Sequence, residues 1–190
     1  MTTPGSGRRE AEMARRGMLD LSNLSMLIVD DNKPTRTMLS RMLRSMGVRD
    51  IFEAETAEQA LADMRGALPD ILLLDHRMEG MDGISLARFL RTAGDSPNPY
   101  LPIIMVSAHS EQKNVVAARE AGINEYVAKP ISVTILADRL SAVIERARPF
   151  VKTEDYFGPD RRRRKNPPED APRRRASDRE AVEVEDEDAA

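Results

Sequence analysis

Two aspartates stand side by side directly after a short apolar run, in the segment MLIVDDNKP at residues 26–34. Adjacent carboxylates repel each other and favour water, so a buried strand that ends in Asp30 and Asp31 needs a positive partner. A third carboxylate, Asp75, ends the apolar run DILLLD at 70–75. Hard carboxylate oxygens favour Mg²⁺ or Mn²⁺ over zinc. We therefore predict a divalent cation between these carboxylates and a phosphoryl group.

Two further polar residues also follow apolar runs. Ser107 lies in LPIIMVSA at 101–108, and Lys129 ends INEYVAK at 123–129. The ammonium can neutralise a phosphate oxygen, and the hydroxyl can donate a hydrogen bond to one. Asp75, at the tip of the most apolar run, remains as the nucleophile, because carboxylates form acyl phosphates in metal-assisted phosphoryl transfer.

A parallel sheet would bring these residues together. Five short apolar runs alternate with segments of helical length, a pattern that indicates βαβ units and an α/β fold. In such folds ligands bind beyond the carboxyl ends of the strands. The second and fifth runs are more polar, so we place them at or near the sheet edges. The runs are residues 26–29, 50–54, 70–75, 101–108 and 123–129.

Helical periodicity supports the segments between the runs. The stripe of Met38, Leu39, Met42, Leu43 and Met46 should face the sheet, and Gly47 should end that helix. Further stripes follow Thr56, which we predict as an N-cap, and Ser132. The segment after His109 has a blurred stripe, which predicts a weakly packed helix that could move.

The sequence resembles the receiver domains of bacterial two-component response regulators, in particular the stand-alone chemotaxis type. The resemblance covers roughly residues 24–148 and rests on VDD after the first run, on LLLDHRMEGMDG, on VSAH and on KP. It implies a doubly wound, flavodoxin-like sheet of five parallel strands in the order 2-1-3-4-5, an order for which a chemotaxis receiver is a known example.

The resemblance also implies residue roles. Asp75 would be the phospho-acceptor and, with Asp30, Asp31 and the backbone carbonyl of Arg77, would hold the metal; Asp30 would act through water. Ser107 would be the switch hydroxyl, and Lys129, before a cis Pro130, would bind phosphate. Tyr126 looks like the aromatic switch, although a half-buried packing role is the alternative.

The implied mechanism is a bistable switch. A histidine kinase or phosphotransfer protein would supply the phosphoryl group, and phosphate on Asp75 would draw Ser107 inward so that Tyr126 fills the space. The face of the fourth helix, fifth strand and fifth helix would then bind a downstream protein. The protein would catalyse only its own phosphorylation and dephosphorylation.

Three residues depart from the commonest pattern of this family. They are Arg77, two residues after the acceptor, Glu79, where proline is frequent, and His109, two residues after Ser107. They flank the path of the attacking water, so we hypothesise that Arg77 and His109 tune the phosphoryl lifetime. A solvated loop residue is the alternative for His109.

Composition divides the chain into three parts. We predict a polar extension over 1–23, a receiver domain over 24–148 and a charged, disordered tail over 149–190, in which basic runs precede an acidic end. The chain has no cysteine, no secretory signal and no run long enough to span a bilayer, so we expect a cytoplasmic protein without membrane contact.

Two other functions are possible for these residues. A haloacid-dehalogenase-type phosphatase also uses a strand-end aspartate, a serine or threonine, a lysine and Mg²⁺. That family requires an acid two residues after its nucleophile. Here Asn32 stands two residues after Asp30, and Arg77 stands two residues after Asp75, so neither aspartate has that acid. Alternatively, the basic tail, with YFGPDRRRRKN at 156–166, contacts nucleic acid or another partner. We do not expect nucleic acid as the main partner, because no folded reader follows Pro149.

Overall fold

A five-stranded parallel sheet forms the centre of the molecule. The computed structural model describes residues 20–109, 111–161 and 182–184. The strand order is β2-β1-β3-β4-β5, which confirms the predicted fold and places the two more polar strands at the edges. The strands are β1 (Ser25–Val29), β2 (Asp50–Ala54), β3 (Ile71–Asp75), β4 (Ile103–Ser107) and β5 (Glu125–Ala128).

Five helices connect and follow these strands. Side chains at their N-caps accept backbone hydrogen bonds in four of the five, as Thr56 does from the Gln59 amide at 3.2 Å, which confirms its prediction as a cap. None of the described helices is long and apolar enough to span a bilayer. The helices are α1 (Lys33–Ser45), α2 (Ala57–Gly66), α3 (Gly83–Thr92), α4 (Gln112–Glu120) and α5 (Val133–Ile144).

Each face of the sheet has its own core, because alternate residues of a strand point to opposite faces. Leu72 and Leu74 of β3 pack towards α2, α3 and α4, whereas Ile71 and Leu73 pack towards α1 and α5. Burial on both faces explains why β3 is apolar throughout before its final aspartate.

Two expectations about the helices have different outcomes. Met38 was expected to face the sheet, but it is 37% exposed, because the buried stripe of α1 is centred on Leu39 and Leu43 and leaves Met38 outside its margin. Helix α4 is weakly packed, as expected. Ala118 is its one buried residue among those described, and its N-cap residue Glu111 makes no capping hydrogen bond.

The expectation of disorder from residue 149 is wrong for its first part. Strands β6 (Phe150–Thr153) and β7 (Tyr156–Pro159) form an antiparallel hairpin, and the backbone of β8 (Val182–Val184) pairs with β6. The prediction of disorder was based on the mean polarity of the whole tail. That mean does not reflect the few apolar residues that stabilise the hairpin. The basic run at 162–165 and the other residues of the predicted tail and N-terminal extension lie outside the described residues.

An aromatic cluster docks the hairpin onto the domain. The rings of Phe150 and Phe157 each lie 5.2 Å from the ring of Tyr100, which precedes β4. The guanidinium of Arg91, at the end of α3, lies 5.1 Å from the Phe150 ring centre. Arg91 is itself buried, which lowers its pKa to about 9, and it donates hydrogen bonds to backbone carbonyls before β4 and before β5.

The hairpin also contacts the turn that follows α4. Arg161 packs over the ring of Tyr156 and pairs with Glu120 of α4 at 2.5 Å. Gly122 has a φ of +80°, and a Cβ there would lie 2.9 Å from Arg91 Cγ and 3.0 Å from the Phe157 carbonyl oxygen. Gly122 therefore permits both the turn and the close approach of the hairpin.

We expect Gly122→Ala to lower the free energy of unfolding by about 1–3 kcal/mol, because a Cβ would strain the turn and push the hairpin away. Urea unfolding measures the change. Gly94→Ala is the matched control, since a Cβ there meets nothing within 4 Å. Equal stabilities of the two variants would contradict this account of Gly122.

Candidate functional site

The predicted site residues meet at the carboxyl edge of the sheet. Asp30 follows β1, Asp75 and Ser107 end β3 and β4, and Lys129 follows β5. Parallel pairing aligns these ends, since Asp75 pairs with Val106 and Ser107 pairs with Ala128. Asp30, Asp75 and Ser107 are buried, so the sheet fixes their positions.

Lys129 joins the two buried carboxylates. Its Nζ donates to Asp30 Oδ2 at 2.9 Å and to Asp75 Oδ1 at 2.7 Å. Its backbone amide donates to the Ser107 carbonyl at 2.8 Å, and the bond to Pro130 is cis, as expected. One ammonium thus brings together carboxylates from two central strands.

Burial and charge shift the pKa values of this cluster in definite directions. Burial raises the pKa of Asp30 above its ordinary value, although hydrogen bonds from Lys129 and Asn32 partly oppose the rise. Burial also acts to lower the pKa of Lys129, but hydrogen bonds to Asp75 and Asp30 outweigh it, so that pKa is raised. Lys129 is therefore a cation at neutral pH.

The other predicted metal ligands lie beside this cluster. The second carboxylate oxygen of Asp75, Oδ2, accepts a hydrogen bond from the Arg77 amide at 2.8 Å, and the Arg77 side chain is exposed. Asp31 is exposed and follows Asp30 in the chain. Across residues 20–109 and 111–161, no three His, Cys, Asp or Glu side chains are grouped closely enough to count as a preformed metal site.

A buried arginine supports the end of β1 and was not predicted from the sequence. Arg36 of α1 donates to the Asp30 carbonyl at 2.7 Å and pairs with Glu55, which follows β2, at 2.5 Å. The sequence does indicate that Arg36 is buried. It stands three residues before Leu39 and seven before Leu43, and it therefore lies on the same buried face of the helix.

A second unrecognised residue, His76, contacts Ser107. Its ring is buried beside the end of β3, and its Nδ1 lies 3.4 Å from Ser107 Oγ. Burial lowers the pKa of His76, which favours the neutral ring. The carbonyl of His76 accepts from the Gly83 amide at 3.0 Å, where α3 approaches so closely that a Cβ on Gly83 would lie 2.0 Å from the Asp75 carbonyl oxygen.

The residues predicted to switch are linked through one loop. Ser107 Oγ accepts a hydrogen bond from the His109 amide at 3.0 Å, and the hydroxyl of Tyr126 donates to the His109 carbonyl at 2.5 Å. Tyr126 is half-buried and packs against the core beneath α4. The backbone of His109 therefore connects Ser107 with Tyr126.

We expect Asp30→Asn to raise the free energy of unfolding at pH 7 in EDTA. The ionised Asp30 is less stable in the fold than in water, since its pKa is raised, and asparagine removes that penalty. The gain should shrink as the pH falls through the raised pKa, because Asp30 then becomes protonated in the folded wild type. The difference should level off below the ordinary value of 3.8.

Urea unfolding across this pH range measures the difference, with Asp31→Asn as the control for an exposed neighbouring aspartate. A stability difference that grows towards acid pH would contradict the assignment.

Comparisons with known proteins agree with this geometry. The family model of the response regulator receiver domain matches residues 26–141. The chain is 33% identical over 123 residues to the chemotaxis protein CheY of Pseudomonas aeruginosa, a match that covers 65% of this chain and 98% of that protein. It is 39% identical over 125 residues, 66% of this chain, to the phosphate regulon transcriptional regulatory protein PhoB of the same organism, of which it covers 53%.

Solved structures show the same fold. The chemotaxis protein CheY4 of Vibrio cholerae is 25% identical with a TM-score of 0.59, over 64% of this chain and 98% of that structure. The receiver domain of the Francisella response regulator 1452 is 27% identical with a TM-score of 0.58, over 66% of this chain and all of that structure. The chain therefore belongs to the response regulator receiver family and is similar to its chemotaxis-type members.

Proposed function

We propose that the protein accepts a phosphoryl group on Asp75 from the phosphohistidine of a histidine kinase or a phosphotransfer protein. The contact that carries the proposal is that of Lys129 with Asp75 Oδ1 at 2.7 Å, at the edge of the sheet where α/β folds bind ligands. A carboxylate oxygen attacks phosphorus and the P–N bond breaks, with its electron pair remaining on the imidazole of the donor. The product is an aspartyl phosphate.

The surrounding residues fit this transfer. The Lys129 ammonium lies between Asp30 and Asp75 and can move from a carboxylate oxygen to a phosphate oxygen without leaving the pocket. The Arg77 amide holds the other oxygen of Asp75 and so fixes the orientation of the nucleophile. Asp30 keeps Lys129 in place throughout.

The donor set suits a magnesium ion, or manganese in its place. Asp30 and Asp75 are close enough to share one ammonium, all their donor atoms are oxygen, and the pKa of Asp30 is raised by burial, so a cation would stabilise its ionised form. Asp30, Asp31, Asp75 and the carbonyl of Arg77 would hold the ion. When bound, it would neutralise charge that develops on the transferred phosphoryl group.

The signal would leave through the face of α4, β5 and α5. Ser107 would move to the aspartyl phosphate, and the loop at His109, together with Tyr126, would follow. Helix α4 is weakly packed, and α4 and α5 expose apolar side chains to solvent, namely Val115, Val116, Val133 and Ile135. A downstream protein that covers these side chains would favour one of the two states.

We expect acetyl phosphate and Mg²⁺ to add the mass of one phosphoryl group to the wild-type protein and none to Asp75→Asn. Intact-mass spectrometry measures the gain, and EDTA should abolish it. Asp63→Asn, an exposed aspartate on α2, is the control that should behave as wild type. A gain of mass in Asp75→Asn would contradict the assignment of the acceptor.

We expect Arg77→Asn and His109→Glu to change the rate of aspartyl phosphate hydrolysis by about 2- to 10-fold, the effect of one hydrogen bond near the attacking water. The decay of the phosphorylated mass, after removal of acetyl phosphate, gives the rate. Arg88→Asn, an exposed arginine on α3, serves as the control. Rates equal to the control in both variants would refute the role in phosphoryl lifetime.

A further inference from the structure

His76 has no part in the mechanism proposed above, yet it is buried beside the phospho-acceptor. Its side chain reaches Ser107, the predicted switch hydroxyl, 31 positions away in the sequence. A polar ring in this position would cost stability without a hydrogen-bond partner, and Ser107 Oγ is the partner that the structure offers to Nδ1.

The hydrogen bonds of Ser107 leave its hydroxyl proton available for this contact. A serine hydroxyl has one proton to donate and two lone pairs to accept with. The His109 amide donates to Oγ at 3.0 Å and occupies one lone pair. The hydroxyl proton is then free to point to His76 Nδ1 at 3.4 Å, which is a long hydrogen bond and therefore one that can be exchanged.

With His76 as the acceptor, this contact would hold Ser107 in the position that it has in the unphosphorylated protein. Within the part of the chain that the structure describes, Ser107 Oγ makes no hydrogen bond with either oxygen of Asp75, whose partners are Lys129 and the Arg77 amide. A phosphoryl group on Asp75 would have to accept the hydrogen bond that the Ser107 hydroxyl would otherwise donate to His76. The two acceptors therefore compete for one donor.

We propose that His76 is a positioning residue that retains the Ser107 hydroxyl and so opposes the phosphorylated conformation. The inference rests on the proposed phosphorylation of Asp75. The His109 amide donates a hydrogen bond to Ser107, and the His109 carbonyl accepts one from Tyr126. A contact that keeps Ser107 in place therefore also keeps the loop at His109 and its bond with Tyr126 in place. His76 thus biases the whole switch towards its resting state.

The first test measures affinity for beryllofluoride, a phosphoryl mimic, by calorimetric titration of the full chain with Mg²⁺ present. His76→Leu keeps the bulk but removes the acceptor, and we expect it to bind about 3- to 10-fold more tightly, the effect of one modest hydrogen bond. His76→Asn places an amide oxygen near the position of Nδ1, and we expect its affinity to lie close to that of the wild type.

The pair of variants separates positioning from packing. A leucine variant with wild-type affinity, or an asparagine variant as tight as leucine, would overturn the proposal. If the wild type itself does not bind beryllofluoride, the proposed function fails, and the affinity comparison does not decide the role of His76.

A second measurement therefore examines His76 in the protein without Mg²⁺ or phosphate. Acceptance of the Ser107 proton requires the tautomer with hydrogen on Nε2 and a bare Nδ1, which ¹⁵N NMR of the labelled ring identifies at neutral pH. Ser107→Ala should move the Nδ1 resonance. A proton on Nδ1, or an Nδ1 resonance unmoved by Ser107→Ala, would overturn the retention of Ser107 whatever the fate of the phosphorylation proposal.

Discussion

The contact of the Lys129 ammonium with Asp30 and Asp75 is the interaction on which the site depends. Two buried carboxylates of like charge would repel each other, and burial alone already raises the pKa of Asp30. Lys129 reduces both effects, and it can do so only after the sheet has formed, since it lies 99 positions from Asp30 and 54 from Asp75 in the sequence. The site is therefore a property of the complete sheet rather than of any local segment.

Other contacts support the strand ends that carry Asp30 and Asp75. Arg36 fixes the end of β1 against the end of β2, and Gly83 lets α3 approach the backbone of Asp75. The hairpin of β6 and β7 packs at the other edge of the sheet, against Tyr100 before β4 and Gly122 before β5, and so does not cover the edge that carries Asp75. Its contact with the end of α4 places it beside the helix that is held least firmly by the core.

Periodicity predicted the five parallel strands and most of the helix faces, and polar residues after apolar runs predicted four of the side chains at the site. The strand order came from the resemblance to receivers rather than from the pattern itself. His76 was missed because both faces of β3 are buried, so alternation cannot say where the next side chain points. The hairpin was missed because Phe150 and Phe157 stand among polar residues in the sequence, and their contacts with Tyr100, about fifty positions away, are not visible in the local pattern.

In the mechanism that we propose, the carboxylate of Asp75 alone accepts the phosphoryl group, while Asp30 stays bound to Lys129. Borohydride reduces an aspartyl phosphate to homoserine, so reduction of the phosphorylated protein followed by peptide mass spectrometry locates the acceptor directly. We expect homoserine at position 75 alone. Homoserine at position 30 or 31, or none in a protein that has gained the phosphoryl mass, would contradict it.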